Sequence, residues 1–200
     1  MSRNPMLAIG VAAALALGAT AAQAQSSNSN TQPSMNSGSS MNSNSGMKQA
    51  SKADQKFLKK AVEGDMAEVN AGKMAQQNGQ SEDVKQFGQM LETDHGQHLQ
   101  KAQQMAQQMG VKPPTEPNAK QKAEAKKLSK EQGARFDKQF AKAMIKDHKE
   151  TIAMYKKEAK TKGPLAEFAQ QTIPTLEKHL QTAESIENKD AMTGTKAGTK

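Results

Sequence analysis

The chain has 200 residues, with 28 Lys+Arg against 20 Asp+Glu for a formal net charge of +8, 34% hydrophobic residues, 3% aromatics, no Cys and no Trp. Disulfide frameworks, thiolate metal sites and cysteine nucleophiles are therefore excluded, and the apolar content could not fill several membrane spans. So few aromatic side chains argue against an all-β sandwich, while the abundant Lys, Gln, Ala and Met suit helices.

In chain order, residues 1–24 read as a signal peptide, with Arg3 ahead of an apolar run Met6–Ala22 and the small-x-small sequence Ala22-Gln23-Ala24 behind Gly18. The run is short for a membrane anchor. Cleavage near Ala24 would leave a periplasmic or secreted protein. Residues 25–51 are rich in Ser, Asn, Gln and Gly and have no periodic apolar face, the signature of a disordered tether. Next, a long helix is predicted over Lys52–Gln77, with Ser51 as N-cap and Asn78-Gly79 as its stop. A second follows the cap Ser81, carries Glu82 and Asp83 in its first turn, and runs to Gly110. Pro113-Pro114-Thr115-Glu116-Pro117 opens a long connection holding a short helix, Ala119–Lys130. The third long helix covers Ala134–Lys160 and is stopped by Gly163-Pro164. The fourth covers Leu165–Glu187, with Pro174 as an expected kink. The folded domain is thus expected over 52–188, with a flexible tail over 189–200.

The second and fourth long helices repeat one pattern. Phe87-Gly88-Gln89 matches Phe168-Ala169-Gln170, and His98-Leu99-Gln100-x-Ala102 matches His179-Leu180-Gln181-x-Ala183 at the same offset. Each copy follows a long helix and a tight turn. Two related antiparallel helix hairpins joined by a long connection with a short helix describe an all-α, ferritin-like four-helix bundle. A plain up-down bundle with one long loop is the alternative.

Placed on wheels at 100° per residue, the second long helix presents Val84, Phe87, Leu91, Ala102, Met105 and Met109 on one stripe, with His95 near its centre and His98 at its edge. His148 falls within the stripe Phe140, Met144, Ile152, Tyr155 of the third. His179 falls within Leu165, Phe168, Thr172, Leu176, Ala183 of the fourth. The first helix shows Leu58, Ala61, Val62, Val69 and Gly72, interrupted by Asp65 and Glu68. At 1.5 Å per residue, Glu68, His95, His148 and His179 lie roughly 16–24 Å from their hairpin turns. All four histidines and two carboxylates thus point inward near one level.

Each of these residues alone reads as ordinary core polarity: a hydrogen-bonded histidine, or an acid facing water. Together they permit a mononuclear site from Glu68, His95, His148 and His179 holding one transition-metal ion, with Asp65, Asp94, His98 and Asp147 around it; imidazole suits zinc, copper, nickel or iron. The di-iron pattern is absent, because it needs Glu-x-x-His on two helices. Only Glu92-Thr93-Asp94-His95 offers one, and Ile145 and Leu176 occupy the equivalent places before His148 and His179.

Phe57-Leu58, Ala67-Glu68-Val69, Val84-Lys85-x-Phe87 and Asp94-His95 resemble the bacterial domain-of-unknown-function family numbered 4142. The same holds for Gly133-x-x-Phe136-Asp137, Met144-x-x-Asp147-His148 and Pro174-Thr175-Leu176-x-x-His179-Leu180. The likeness runs over about residues 53–187 in order and spacing. It implies a ferritin-like bundle in exported proteins labelled outer-membrane or periplasmic, and no established activity. It marks Glu68, Asp94, His95, Asp147, His148 and His179 as motif positions, whereas His98 fits only the internal repeat.

No phosphate-binding loop or serine-nucleophile elbow is present. Lysines interspersed with acids, and few aromatics for base stacking, make nucleic acid an unexpected partner. The Lys excess instead suits anionic envelope components. The sequence therefore points first to an exported, non-catalytic binding protein of the envelope or of a stress response, and alternatively to a metal-binding or redox protein using the mid-bundle residues.

Overall fold

The structure, a computed structural model, describes residues 50–196, with side chains described as far as Lys189. Its described residues form five helices and no strand: α1 (Lys52–Asn78), α2 (Glu82–Gln108), α3 (Ala119–Leu128), α4 (Gly133–Glu158) and α5 (Pro164–Lys196). The all-α class and the order of elements follow the hydrophobic periodicity. The expected signal peptide and nearly all of the expected tether lie outside the described residues. Ala50 and Ser51, assigned to the tether, belong to the fold, since Ala50 is buried in the core and Ser51 caps α1.

Local chemistry sets most helix ends. Ser51 Oγ accepts from the Asp54 amide at 3.1 Å while Asp54 Oδ2 accepts from the Ser51 amide at 2.9 Å, a reciprocal capping box. Asn118 and Gln121 repeat the device at the start of α3. Gly163, at φ 101° just before α5, holds a left-handed backbone that side chains disfavour, which turns the chain sharply after α4. At the far end, α5 continues to Lys196 rather than giving way to a tail after residue 188. The apolar periodicity that marked the expected boundary ends there, but Lys189, Ala191 and Met192 remain good helix formers on an already nucleated helix. Pro174 lies inside α5, where its missing N–H leaves the helix one hydrogen bond short.

Helix α1 packs along α2, and α4 along α5, each pair antiparallel across a short turn; α1 also meets α4, α2 meets α5, and α3 lies against α1 and α4. Together they form a helical bundle. Gly72 and Gly88 let α1 and α2 approach closely: a Cβ on Gly88 would lie 2.6 Å from the Gly72 carbonyl oxygen and 2.7 Å from Ala75 Cβ. The α1–α2 turn is tied to α4 by Asp137, which is buried and accepts from the amides of Gln80 at 2.9 Å and Ser81 at 2.8 Å. No helix among the described residues is long and apolar enough to cross a membrane.

The core comes in two apolar clusters. One gathers Phe57, Leu58, Val62, Tyr155, Phe168 and Leu176, with Phe57 and Tyr155 meeting edge-on at 5.1 Å between ring centroids. The other gathers Phe87, Leu91, Phe136, Phe140, Met144 and Ile186. On every long helix the buried histidines and the two buried carboxylates of α1 fall between the stretches that feed these clusters, whereas Asp137 and Thr172 lie within them. Asp65 and Glu68 lie between Val62 and Ala71, His95 between Leu91 and Ala102, His148 between Met144 and Ile152, and His179 between Leu176 and Ala183. The polar level therefore separates two dry layers. The helical wheels are slightly too generous at its borders, because Val69 is half-buried and Met105 and Met109 only flank the core.

Candidate metal centre

Three long helices each bring one imidazole to the polar level. His95 (α2), His148 (α4) and His179 (α5) are 4%, 1% and 0% exposed, and one ring nitrogen from each lies within 4.8 Å of the other two. The ring centroids stand 5.7 Å (His95–His148), 5.3 Å (His95–His179) and 5.3 Å (His148–His179) apart.

The outer face of each ring is engaged. His95 Nδ1 lies 2.8 Å from Asp65 Oδ1, His148 Nδ1 lies 3.0 Å from the Met144 carbonyl oxygen, and His179 Nε2 lies 2.9 Å from Asp94 Oδ2. A carbonyl or carboxylate oxygen can only accept, so each of these nitrogens donates. The proton is thereby fixed on the outer nitrogen, which leaves the lone pair of the neutral ring on the other. Those other nitrogens, His95 Nε2, His148 Nε2 and His179 Nδ1, are buried without any hydrogen-bond partner. A leftover buried polar atom is costly; three of them converging from three helices is the arrangement a metal ion resolves, with outer hydrogen bonds orienting the ligands.

The carboxylates complete the surroundings. Glu68 is 8% exposed, and its Oε1 stands 3.7 Å from His148 Nδ1 while Oε2 has no partner. Burial pushes Glu68 up to about 7, a rise that the charge of His95 partly opposes. Burial works against charging His95 too, but the hydrogen bond it donates to Asp65 and the charge of Glu68 outweigh it and hold His95 above the usual imidazole range. With His148 and His179 the desolvation wins, and they fall to about 3 and about 4. Both are therefore neutral at pH 7, the state a ligand needs.

Of the four expected ligands, the structure brings His95, His148 and His179 into one group, whereas Glu68 stands beside it, nearest His148. Asp65 accepts from His95, and Asp94 accepts from His179 rather than from the His95 that follows it in sequence. His98 sits at the edge: its Nε2 lies 2.7 Å from Thr172 Oγ1, whose own proton goes to the Phe168 carbonyl at 2.8 Å. His98 therefore donates to Thr172, and its Nδ1 is 3.9 Å from Asp65 Oδ1. Asp147 lines a groove between α1, α3 and α4, and it is the Met144 carbonyl that holds the His148 ring. The sequence reading had placed Thr172 merely in an apolar stripe. A threonine in that stripe, one helix away from His98, is the signal that could have paired them.

His95, His148 and His179 would hold an ion through one nitrogen each, drawn from a group in which these atoms lie within 4.8 Å of one another. Neutral imidazoles suit zinc, copper, nickel or iron. Chemically, such a centre can hold one ion with an oxygen donor from Glu68 or water beside it.

No curated protein and no solved structure matches the chain. The family described as "Domain of unknown function (DUF4142)" matches residues 39–186, a span containing the whole imidazole trio and Glu68. The chain belongs to this domain family of unknown function.

Proposed function

We propose that this protein binds one divalent transition-metal ion at mid-bundle through His95, His148 and His179, with Glu68 as a further or outer donor, in a ferritin-like arrangement of α1, α2, α4 and α5. The observation that carries the reading is the convergence of three buried ring nitrogens, each left without a partner by a hydrogen bond that fixes its ring's opposite nitrogen. Two further features support it. The separation of the core into two apolar clusters keeps the polar level between dry layers, where charge interactions are strong. The hairpins α1–α2 and α4–α5, joined through α3, follow the connectivity of ferritin-like bundles.

The alternative account of the same residues is a buried ion network, with a protonated His95 balancing Asp65. That network satisfies His95 Nδ1 but offers nothing to His148 Nε2 and His179 Nδ1. Elemental analysis of the protein purified without chelator or affinity tag separates the two. About one equivalent of a transition metal, lost when His148 or His179 is replaced by Ala, is the expected result. Absence of metal, with no uptake of zinc, copper, nickel or iron by the purified protein, would overturn the reading.

A further inference from the structure

Helix α3 lies against α1 and α4 yet buries only Leu128 of its own ten residues. Beneath it the three helices enclose a space of about 250 Å³. This space shares Glu68, Gln121, Glu124 and Asp147 with the groove of about 290 Å³ beside it. Its apolar lining includes Ala71, Met74, Leu128, Ala143 and Met144. Its charged lining is acidic, with Glu68, Glu116, Glu124 and Asp147 against Lys122 alone, in a chain whose formal net charge is +8.

Two of these four acids are already paired. Glu116 meets Lys122 Nζ at 2.9 Å, and Glu124 meets Lys146 at 3.5 Å and Lys120 at 3.9 Å. The other two are not. Glu68 is 8% exposed, and its Oε2 is buried without a hydrogen bond, while its Oε1 is 3.7 Å from His148 Nδ1, too far for one. Asp147 is half-buried and has neither a hydrogen bond nor an ion pair among the described residues. The two lie close enough for the charge of Asp147 to act on Glu68. A buried acceptor left over in this way calls for a donor.

We propose that the space beneath α3 binds a small primary alkylamine in its protonated form, at a site that does not depend on the metal centre. The ammonium group has three N–H donors and no acceptor, and it donates to Glu68 Oε2 and to Asp147. The hydrocarbon chain lies on Met74, Leu128 and Met144. A second metal ion does not fit the same lining, because among the described residues only His95, His148 and His179 bring three ligand atoms within a metal's reach. A quaternary ammonium does not fit either, because no aromatic side chain lines the space to receive one. Enclosure by three helices limits the guest to a small molecule.

The test is calorimetric titration of the full chain near neutral pH, with chelator present so that no metal takes part, using butylamine, hexylamine and hexanol. Hexylamine is expected to bind once per chain, with affinity rising about three- to four-fold for each methylene beyond butylamine. Hexanol has the same chain without the charge and should bind about ten-fold or more weakly. Asp147→Asn and Glu68→Gln keep the size of each group and should each weaken hexylamine by about ten-fold or more. Ala125→Phe fills the space from α3 without altering a charge and should weaken it as much. Absence of hexylamine binding, or equal binding of hexanol, would overturn the proposal. Unchanged affinity in the two carboxylate variants or in Ala125→Phe would overturn its placement beneath α3. Binding seen only after zinc replaces the chelator would put the amine on the ion instead and equally overturn it.

Discussion

Replacing His148 with Ala tests the difference between a ligand and a structural ring. The side chain is 1% exposed, and its Nδ1 donates to the Met144 carbonyl at 3.0 Å. Truncating a fully buried ring of this size costs about 2–4 kcal/mol in the metal-free protein, mostly through the cavity left behind. If that were the whole role, the cost would be the same with metal present. As a ligand, His148 carries a second, conditional contribution: zinc at a hundred times its dissociation constant stabilises the wild type by about 2.7 kcal/mol, roughly 5–10 °C in melting temperature for a domain of this size. With only two imidazoles left, most of that gain should vanish. The assay is thermal or urea unfolding of both proteins, first with chelator and then with zinc in excess. A metal-induced shift of equal size in wild type and variant, or its absence from both, would refute the reasoning.

The pH dependence of the metal-free protein should separate the buried groups by sign. His148 and His179 are held down at about 3 and about 4, so the unfolded chain takes up protons below about 6.5 that the folded chain refuses. Their contribution is complete above that value and is lost as pH falls toward 4 and 3; in urea titrations the penalty of His148→Gln relative to wild type should therefore shrink on acidification from pH 7 to 4.5. Glu68, raised to about 7, acts oppositely, so Glu68→Gln should gain stability relative to wild type as pH rises from 4.5 through 7. Asp94→Asn keeps the size of the group that orients His179 but removes its charge, and calorimetric titration should show metal affinity weakened by about 10- to 100-fold with little change in the metal-free melting curve. Gly88→Ala places a methyl group against the Gly72 carbonyl and Ala75 and should destabilise by about 1–3 kcal/mol in denaturant titrations, through overpacking of the α1–α2 contact.

Much of this architecture is legible from periodicity and breakers. Ser51, Ser81, Gly163 and Pro164 punctuate the chain where the helices begin or end, and the inward direction of His95, His148 and His179 follows from their place on each apolar stripe. A wheel gives direction around one helix but not the rotation and height of its neighbour. For that reason Glu68 could be grouped with the three histidines as a fourth ligand, although it stands beside the imidazole group, nearest His148. Hydrogen-bond partners suffer the same limit: the pairing of His98 with Thr172, and of Asp137 with the α1–α2 turn, depends on how two hairpins sit against each other. The α5 extension to Lys196 escaped for another reason, since helix propensity persists where apolar periodicity stops.

X-ray absorption spectroscopy of the zinc-loaded full chain tests the central claim most directly. The account requires a first shell of nitrogen and oxygen at about 2.0–2.1 Å, with the outer-shell scattering of three imidazoles, reduced to two in His179→Ala. A shell of oxygens alone, or an imidazole contribution unchanged in that variant, would place the ion elsewhere and contradict the assignment of His95, His148 and His179 as its ligands.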